Sequence, residues 1–477
     1  MSYSKPKYLA IKEMLLNDIL NGTYKPKDMI PSDNELMRKF SVSKSTITQA
    51  LNLLVQEGYI VREQGRGSFV SNQIKKKTIE LCLCSLEQNE KICWTEIVNS
   101  FNQLNNDFFI HLTFVDDSRV PLRDTLFKAF ASGKSPDILS IDGPDTSYWA
   151  YIHAIRPLDE YMTEEFKNRF LNSVLQQGTY RGKIYQLGYS ESTVCLVYNK
   201  SVFDKLKIKA PARLEEAWTW QDFLQVCETI KQGTKYPYPL LMNSGKGMEL
   251  QKGEWITYSG LPFIHQNNGK PFSDDCLKTD GYLNSPASIE AMTWLGELFH
   301  KYRYTHVEDL GADFPEDFAM SLSQYNSFVD LISHSKNDNL SIIPLPRHLR
   351  HASPHGGWGL SITTQTKYPN ECWKFIEYVF SLENQIKLSR ATGMPVLKDI
   401  YNIYWDLNAT SDDLNLIFAQ LHNTSVTRPV TPAYPLFSKT FSQAYLSIAN
   451  GGDAQAALNE ASRLVDEHID RHDGYRI

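Results

Sequence analysis

Residues 31–70 read PSDNELMRKFSVSKSTITQALNLLVQEGYIVREQGRGSFV, and few folds accommodate such a run. Ser32 and Glu35 stand in capping-box spacing, which starts a short helix whose apolar face carries Leu36 and Phe40. Ser41-Val42 makes a tight turn, and Ser43 caps a second helix from Lys44 to Gln56. Ile47, Leu51, Leu54 and Val55 give that helix the 3.6-residue spacing of a buried stripe, and Gly58 supplies its stop. Tyr59–Val61 and Ser68–Val70 then read as two strands around the turn Gly65-Arg66-Gly67. The pattern predicts a helix-turn-helix followed by a β-wing.

The residues off the apolar stripe suit double-stranded DNA. Lys44, Ser45, Thr48 and Gln49 are placed to face a major groove, with Asn34 contributed by the preceding helix. Ser43 and Thr46 can donate to phosphates at a helix N-terminus, where the helix dipole favours an anion. On the wing, Gln64, Gly65 and Arg66 can approach a phosphate or a minor groove closely. A solvated Ser/Thr-rich helix would account for the second helix alone, but not for the whole run. Charge follows the same division. Residues 1–77 carry 13 Lys and Arg against 7 Asp and Glu, a net of +6, and the remainder carries 36 against 48, a net of −12. A basic head on an acidic body is expected where only the head meets a polyanion.

A chain of 477 residues implies roughly three compact units. No apolar run long enough to span a bilayer occurs, and the N-terminus lacks the apolar core of a secretion signal, so a cytoplasmic protein without membrane partners is expected. The seven cysteines show no CxxC pair and read as reduced, buried thiols. The histidines at 300, 306, 348, 351 and 355 lack acidic partners at ligand spacing, so neither a metal site nor a cofactor is expected. SNQIKKK at 71–77 reads as a short polar linker whose lysines touch phosphate or are simply solvated.

From residue 78 onward strands alternate with amphipathic helices: strand Thr78–Ser85, helix Trp94–Asn105, strand Phe109–Val115, helix Leu122–Ala131 and strand Pro136–Ile141. This order predicts a mostly parallel sheet with helices packed on it, with ligands held beyond the carboxyl ends of its strands. Asp116, Asp142 and Asp145 lie at such ends, where each serves equally well as a helix cap.

The head resembles the winged-helix domain of the GntR family of bacterial regulators from Tyr8 through Val70, including Ile19-Leu20, Asn21-Gly22, Ile30-Pro31-Ser32, Val42-Ser43 and Gly65-Arg66-Gly67. It departs at Asn34, Lys44 and Thr48, where that family usually has arginine, and Lys44 keeps the charge without the bidentate fork. The body resembles extracellular solute-binding proteins of the maltodextrin type. The stretches that carry this are Trp94–Val98, Ala131–Ile138, Pro157-Leu158-Asp159, Gly182–Leu187, Val197–Lys200, Trp218–Phe223, Gly356–Ile362, Cys372–Phe375, and Arg428-Pro429 with Asn450–Gly452. The resemblance implies an α/β chain with a winged helix-turn-helix domain at 1–70, a linker at 71–77 and a two-lobe, class II periplasmic-binding-protein-like body at 78–477. Lobe I would be about 78–188 and 342–392, and lobe II about 192–340 and 395–477.

A ligand between such lobes is expected to be a sugar or oligosaccharide, because sugar rings offer apolar CH faces to aromatic plates and hydroxyls to carboxylates. Candidate plates are Trp149, Tyr189, Trp255, Tyr325 and Trp358, and candidate polar groups are Asp116, Asp142, Asp145 and Glu191. With nine tryptophans and twenty-five tyrosines, any one of these aromatics can equally belong to the core, as expected for Trp94, Trp218 and Trp220. The expected function is a non-enzymatic, homodimeric regulator, a repressor of a palindromic operator, whose DNA affinity a sugar controls. Two alternatives stand beside it. One is a pyridoxal-phosphate aminotransferase-like body, to which Ser438-Lys439 bears a superficial likeness without the accompanying phosphate-binding residues. The other is a body that serves only for dimerisation.

Overall fold

The head forms where its capping signals place it. In a computed structural model, which describes residues 6–20, 23–72, 77–84, 88–105, 107–115, 122–242, 254–307, 314–335, 339–392, 394–400 and 411–475, helices α1 (Lys7–Leu20), α2 (Asp33–Phe40) and α3 (Lys44–Gln56) precede a hairpin of β1 (Ile60–Glu63) and β2 (Gly67–Val70). The Ser32–Glu35 capping box starts α2, and Ser41, in the left-handed region at φ 51°, ends it. The Ser43 hydroxyl accepts the Thr46 amide at the start of α3. Gly58, at φ 77°, turns the chain out of α3, and β1 pairs antiparallel with β2 from Ile60 opposite Val70 to Glu63 opposite Gly67. The buried stripe of α3 is Ile47, Ala50, Leu51 and Leu54. Val55, expected in it, is 37% exposed, because a residue eight positions after Ile47 has rotated off the face that the i, i+3, i+4, i+7 series defines.

The chain divides into two compact units, Met1–Leu81 with Trp94–Thr113, and Cys82–Cys93 with Phe114–Ile477. The first unit therefore holds more than the head. It includes most of β3 (Lys77–Cys84), the greater part of α4 (Gln88–Leu104) and most of β4 (Phe108–Val115). Helix α4 begins six residues before the expected Trp94. Its Asn102 amide bonds both backbone groups of Ile110, at 2.9 and 2.8 Å, and Asn105 donates to the Phe108 carbonyl at 2.7 Å. Phe109 then meets Tyr59, just past the end of α3, ring edge to ring face, with centroids 4.9 Å apart. Of the expected linker, residues 73–76 lie outside the described ones, as do Asn21-Gly22 and Asp116.

The second unit continues with α5 (Leu122–Ala131), β5 (Ile138–Asp142), α6 (Thr146–Tyr151), β6 (Leu187–Gly188), β7 (Val194–Asn199), α7 (Trp220–Gly233), β8 (Leu240–Leu241), α8 (Glu254–Gln266), α9 (Pro286–His300), β9 (Met320–Gln324), β10 (Leu340–Ile343), β11 (Trp358–Ile362), α10 (Tyr434–Ala449) and α11 (Ala454–Arg471), among shorter elements. It is built as two lobes. In lobe I, β11 runs antiparallel to both β5 and β6. In lobe II the strand order is β8-β9-β7-β10, with β8 and β9 parallel and β7 antiparallel to both its neighbours. The lobe II sheet is thus mixed, and the lobe I sheet carries antiparallel pairs, where a mostly parallel sheet was expected. The strands that enter each lobe from a crossing, β7 and β11, run against the neighbours with which they pair. Because β10 belongs to the lobe II sheet, the chain returns to lobe I after it, at residues 353–357.

Lobe II closes around Phe223, Cys227, Ile230, Ala291, Leu295, Phe437 and Phe441, all buried. Thr219 and Asp222 form a capping box at the start of α7, and Trp220 stacks between Trp294 and His348 at 4.2 and 4.4 Å while donating to Gln266. Trp220 and Trp94 are core residues, as expected. Among the described residues no helix is long and apolar enough to cross a membrane.

The head has one small core, in which Leu51 is wholly buried. Leu51→Ala should destabilise it by about 2–5 kcal/mol through lost transfer energy and a residual cavity. Urea unfolding that leaves the head's transition unmoved would contradict this packing.

Candidate functional site

Three chain segments meet where the lobes join. Gly188–Ser192 leads out of lobe I, Ser353–Trp358 leads back, and Ser425-Val426 pairs in parallel with Ser353-Pro354. Close backbone packing dictates glycine here. A Cβ on Gly357 would run into the Ser190 carbonyl, and Gly356, at φ 145°, leaves no room for one beside the Arg428 guanidinium. The Tyr189 amide donates to the Trp358 carbonyl at 2.9 Å, and the Trp358 amide donates to the Ser190 hydroxyl at 3.1 Å.

A cleft of about 240 Å³ opens at this junction. Lobe I lines it with Asp142 at the end of β5 and Trp358 at the start of β11, which stand opposite each other in register. Lobe II contributes Glu254, Trp255 and Tyr258 from the first turns of α8, and Gln324 from the end of β9. The crossings add Ser190, Glu191, Ser192 and Arg428, and Glu90 of α4 completes the wall.

Arg428 organises the cleft. Its guanidinium holds Asp142 through two bonds, of 2.8 and 2.9 Å, and Glu254 through one of 2.6 Å. It also lies 4.9 Å from the centre of the Tyr258 ring. Only 5% of the side chain is exposed, and Nε has no hydrogen-bond partner among the described residues. Burial works against its charge, but Asp142 and Glu254 more than offset this and hold it protonated. Glu254 is further held by the hydroxyls of Tyr434 and Ser438.

Glu191 forms a second knot. It accepts from the Ser173 hydroxyl at 2.7 Å and from the amides of Gly356 and Ser192 at 2.7 and 3.0 Å. Burial raises its carboxyl above the usual range in spite of these donors. His355, beside it, lies between Gln177 and Thr427, 2.9 Å from each. Burial, helped by the nearby Arg428, lowers its pKa to about 3 and keeps the ring neutral.

Of the nine residues expected around a ligand, Asp142, Glu191, Trp255 and Trp358 line the cleft. The structure does not bring the others to it. Asp145 is buried on Arg123 through two hydrogen bonds. Trp149 packs in the lobe I core against Phe130 and Tyr148. Tyr189 and Tyr325 are buried to 1% and 0% exposure, their neighbours Ser190 and Gln324 facing the cleft instead. Asp116 lies outside the described residues. Arg428, Glu254 and Tyr258 were not anticipated. The spacing of Glu254 and Tyr258, four apart on one helix face next to Trp255, was the available signal.

On the head, Asn34, Ser43, Lys44, Ser45, Gln49, Gln64, Gly65 and Arg66 are exposed, and Thr46 and Thr48 half-buried. The Ser43 hydroxyl lies 2.9 Å from those of Ser45 and Thr46, which makes it first a cap. Arg66 is paired with Glu63 on the wing yet 73% exposed, an exchangeable contact. Arg62 ties the wing to α2 through one terminal nitrogen, which donates to both carboxylate oxygens of Asp33 at 2.9 and 3.0 Å.

Two outcomes follow from the buried charges. Arg428→Ala leaves Asp142 and Glu254 facing each other without their cation and should cost about 3–5 kcal/mol, read as a lower midpoint in chemical unfolding. Acidification exposes His355. Its folded pKa of about 3 lies below the ordinary 6.5, so the unfolded chain takes up a proton first and stability falls as pH drops through that interval. Glu191, with its raised pKa, works in the opposite sense. His355→Asn should therefore lose less of its melting temperature than the wild type between pH 7 and pH 5, even though it starts lower.

Residues 96–411 match the family described as bacterial extracellular solute-binding protein, and residues 7–70 match the gntR family of bacterial regulatory proteins. Relatives of the head include an HTH-type transcriptional regulator of Bacillus subtilis, 42% identical over 77 residues, which cover 16% of this chain and 32% of that one. The arabinose metabolism transcriptional repressor of Geobacillus stearothermophilus is 39% identical over 75 residues, 16% of this chain and 21% of that one. The chain thus spans a third or less of these curated relatives. Among solved structures, an ABC transporter solute-binding protein of Thermotoga lettingae bound with alpha-D-tagatose superposes with a TM-score of 0.68 at 22% identity, covering 82% of this chain and 99% of that one. The chain belongs to the bacterial extracellular solute-binding protein family, and its N-terminus is a helix-turn-helix domain of the gntR family of regulators.

Proposed function

We propose that the protein is a sugar-responsive transcription regulator, a repressor that acts as a homodimer in the cytoplasm. The observation that carries this reading is the pairing of Trp358 and Trp255 with Asp142, Glu191 and Glu254 around one cleft, in a chain whose other end exposes Lys44, Ser45, Gln49 and Arg66. Aromatic plates beside carboxylates recognise sugar rings, and the exposed residues at the start of α3 recognise a major groove. An arabinose metabolism repressor among the relatives of the head and a tagatose-bound relative of the body support the same reading. One winged helix reaches a short half-site, so a palindromic operator and a twofold dimer follow. No lysine is among the described residues that line the cleft, and Lys439 stands exposed on α10.

Sugar would control DNA affinity only by binding the operator-competent and incompetent conformations differently, and couplings of about 1–3 kcal/mol are typical. Helix α4 supplies a route. Its Glu90 lines the cleft, and Asn99, Asn102 and Gln103 near its other end line a hollow with Leu53, Gln56, Gly58 and Tyr59 at the end of α3. We take sugar to be the inducer.

Lys44→Ala should weaken operator binding by about 1–3 kcal/mol if Lys44 reads a base, measured by fluorescence anisotropy against random duplex. Protein that binds candidate palindromes no better than random duplex at physiological salt would end this reading. Trp358→Ala should weaken sugar binding by roughly 1–3 kcal/mol in calorimetry through lost stacking and buried area. Phe109→Ala should preserve each binding event yet reduce the change in operator affinity that sugar produces. Full coupling in that variant would move the route elsewhere.

A further inference from the structure

We propose that the cleft selects an uncharged sugar and rejects phosphorylated and uronic-acid sugars, which makes the effector the form of the sugar that exists before any kinase acts on it. This rests on the reading of the body as a sugar sensor and narrows its ligand class.

The argument is one of hydrogen-bond polarity. Among the described residues that line the cleft, the carboxylates are Glu90, Asp142, Glu191 and Glu254, and the only basic side chain is Arg428. The charge of that guanidinium is already balanced: both terminal nitrogens are bonded to Asp142 and one of them also to Glu254, while Nε, without a partner among the described residues, is buried. The guanidinium of Arg123 is likewise taken by Asp145. The Gly356 amide, which could hold an anion, already donates to Glu191. His355 is neutral and bonded on both ring nitrogens.

The charged groups that remain can only accept hydrogen bonds, and the donors beside them are neutral hydroxyls and amides. A carboxylate offers about four lone-pair sites, and each Asp142 oxygen has one bond to Arg428. A sugar hydroxyl can donate into such a site and accept at the same time from Ser190 or Tyr258. A phosphate dianion or a uronate carboxylate brings acceptors and negative charge only. To find a cation it must pull Arg428 off Glu254 or off Asp142, whose side chain is only 15% exposed, and leave that carboxylate uncompensated, a costly way to break an ion pair.

The test is calorimetry on the full-length protein at neutral pH with matched sets: D-glucose, D-galactose, D-tagatose, L-arabinose and maltose, the phosphate monoesters of each, and glucuronate and galacturonate. The expected result is that at least one neutral sugar binds and its anionic counterparts bind at least ~100-fold more weakly, the scale of a like-charge penalty. A phosphate monoester or uronate that binds as tightly as its neutral parent, or more tightly, overturns the inference and leaves the sugar reading standing. Silence from every probe sinks the sugar reading, and the inference with it. Glu254→Gln, with Asp142→Asn as the second variant should the first unfold, removes one negative charge and loosens the hold on Arg428. Either should narrow the discrimination about tenfold, and a ratio unchanged in a folded variant would show that charge is not its origin.

Discussion

A single guanidinium, placed where three chain segments cross, sets the conditions for everything around it. Arg428 is nearly inaccessible, and a buried cation is tolerated only with opposite charge in direct contact. Asp142 comes from the end of a lobe I strand and Glu254 from the start of a lobe II helix, so that requirement draws both lobes to one point. Gly356 and Gly357 are the steric counterpart, since only residues without a Cβ let the crossing pass so close to Arg428 and Ser190. The Tyr434 and Ser438 hydroxyls then donate to Glu254, and the Tyr258 ring lies against the guanidinium. Such a network specifies one arrangement of the lobes more than it adds net stability, because the desolvation of each ion nearly cancels its attraction.

The same cluster explains how a polar cleft coexists with a tightly packed lobe. The outer turns of α8 present Glu254, Trp255 and Tyr258 to the cleft, while its later residues Leu261, Phe263 and Ile264 are buried in the lobe II core. One helix thereby carries recognition at its start and packing beyond it. A ligand that displaced Glu254 would act directly on an element anchored in that core, which gives a small molecule purchase on a whole lobe.

Legibility in the sequence followed the range of the interactions. The boundaries of α2 and α3 were readable because their determinants, Ser32 with Glu35 and Ser43 with Thr46, lie three residues apart. Trp358 stood out because it lies between glycines that the crossing requires. Arg428 did not, although its motif with Pro429 was visible, because its partners are 286 and 174 residues away and no local pattern announces them. Tyr325 and Trp149 misdirected the reading for a related reason. An aromatic ring beside a cleft and one beneath it look alike until packing decides which face is dry. The early start of α4 was hidden because Gln88–Lys91 is polar and offers no periodic apolar signal.

The ring contact between Tyr59 and Phe109 bears on how such a protein could have arisen. The match to the gntR family stops at Val70, yet Phe109, fifty residues beyond Tyr59 in the chain and well past that limit, packs on the head's own core. The line along which two ancestral segments were joined is therefore not the line along which the present molecule comes apart. A head severed at Val70 would bare one side of Tyr59 to water, and its tolerance of that exposure would measure how far the two lineages have since become one folding unit.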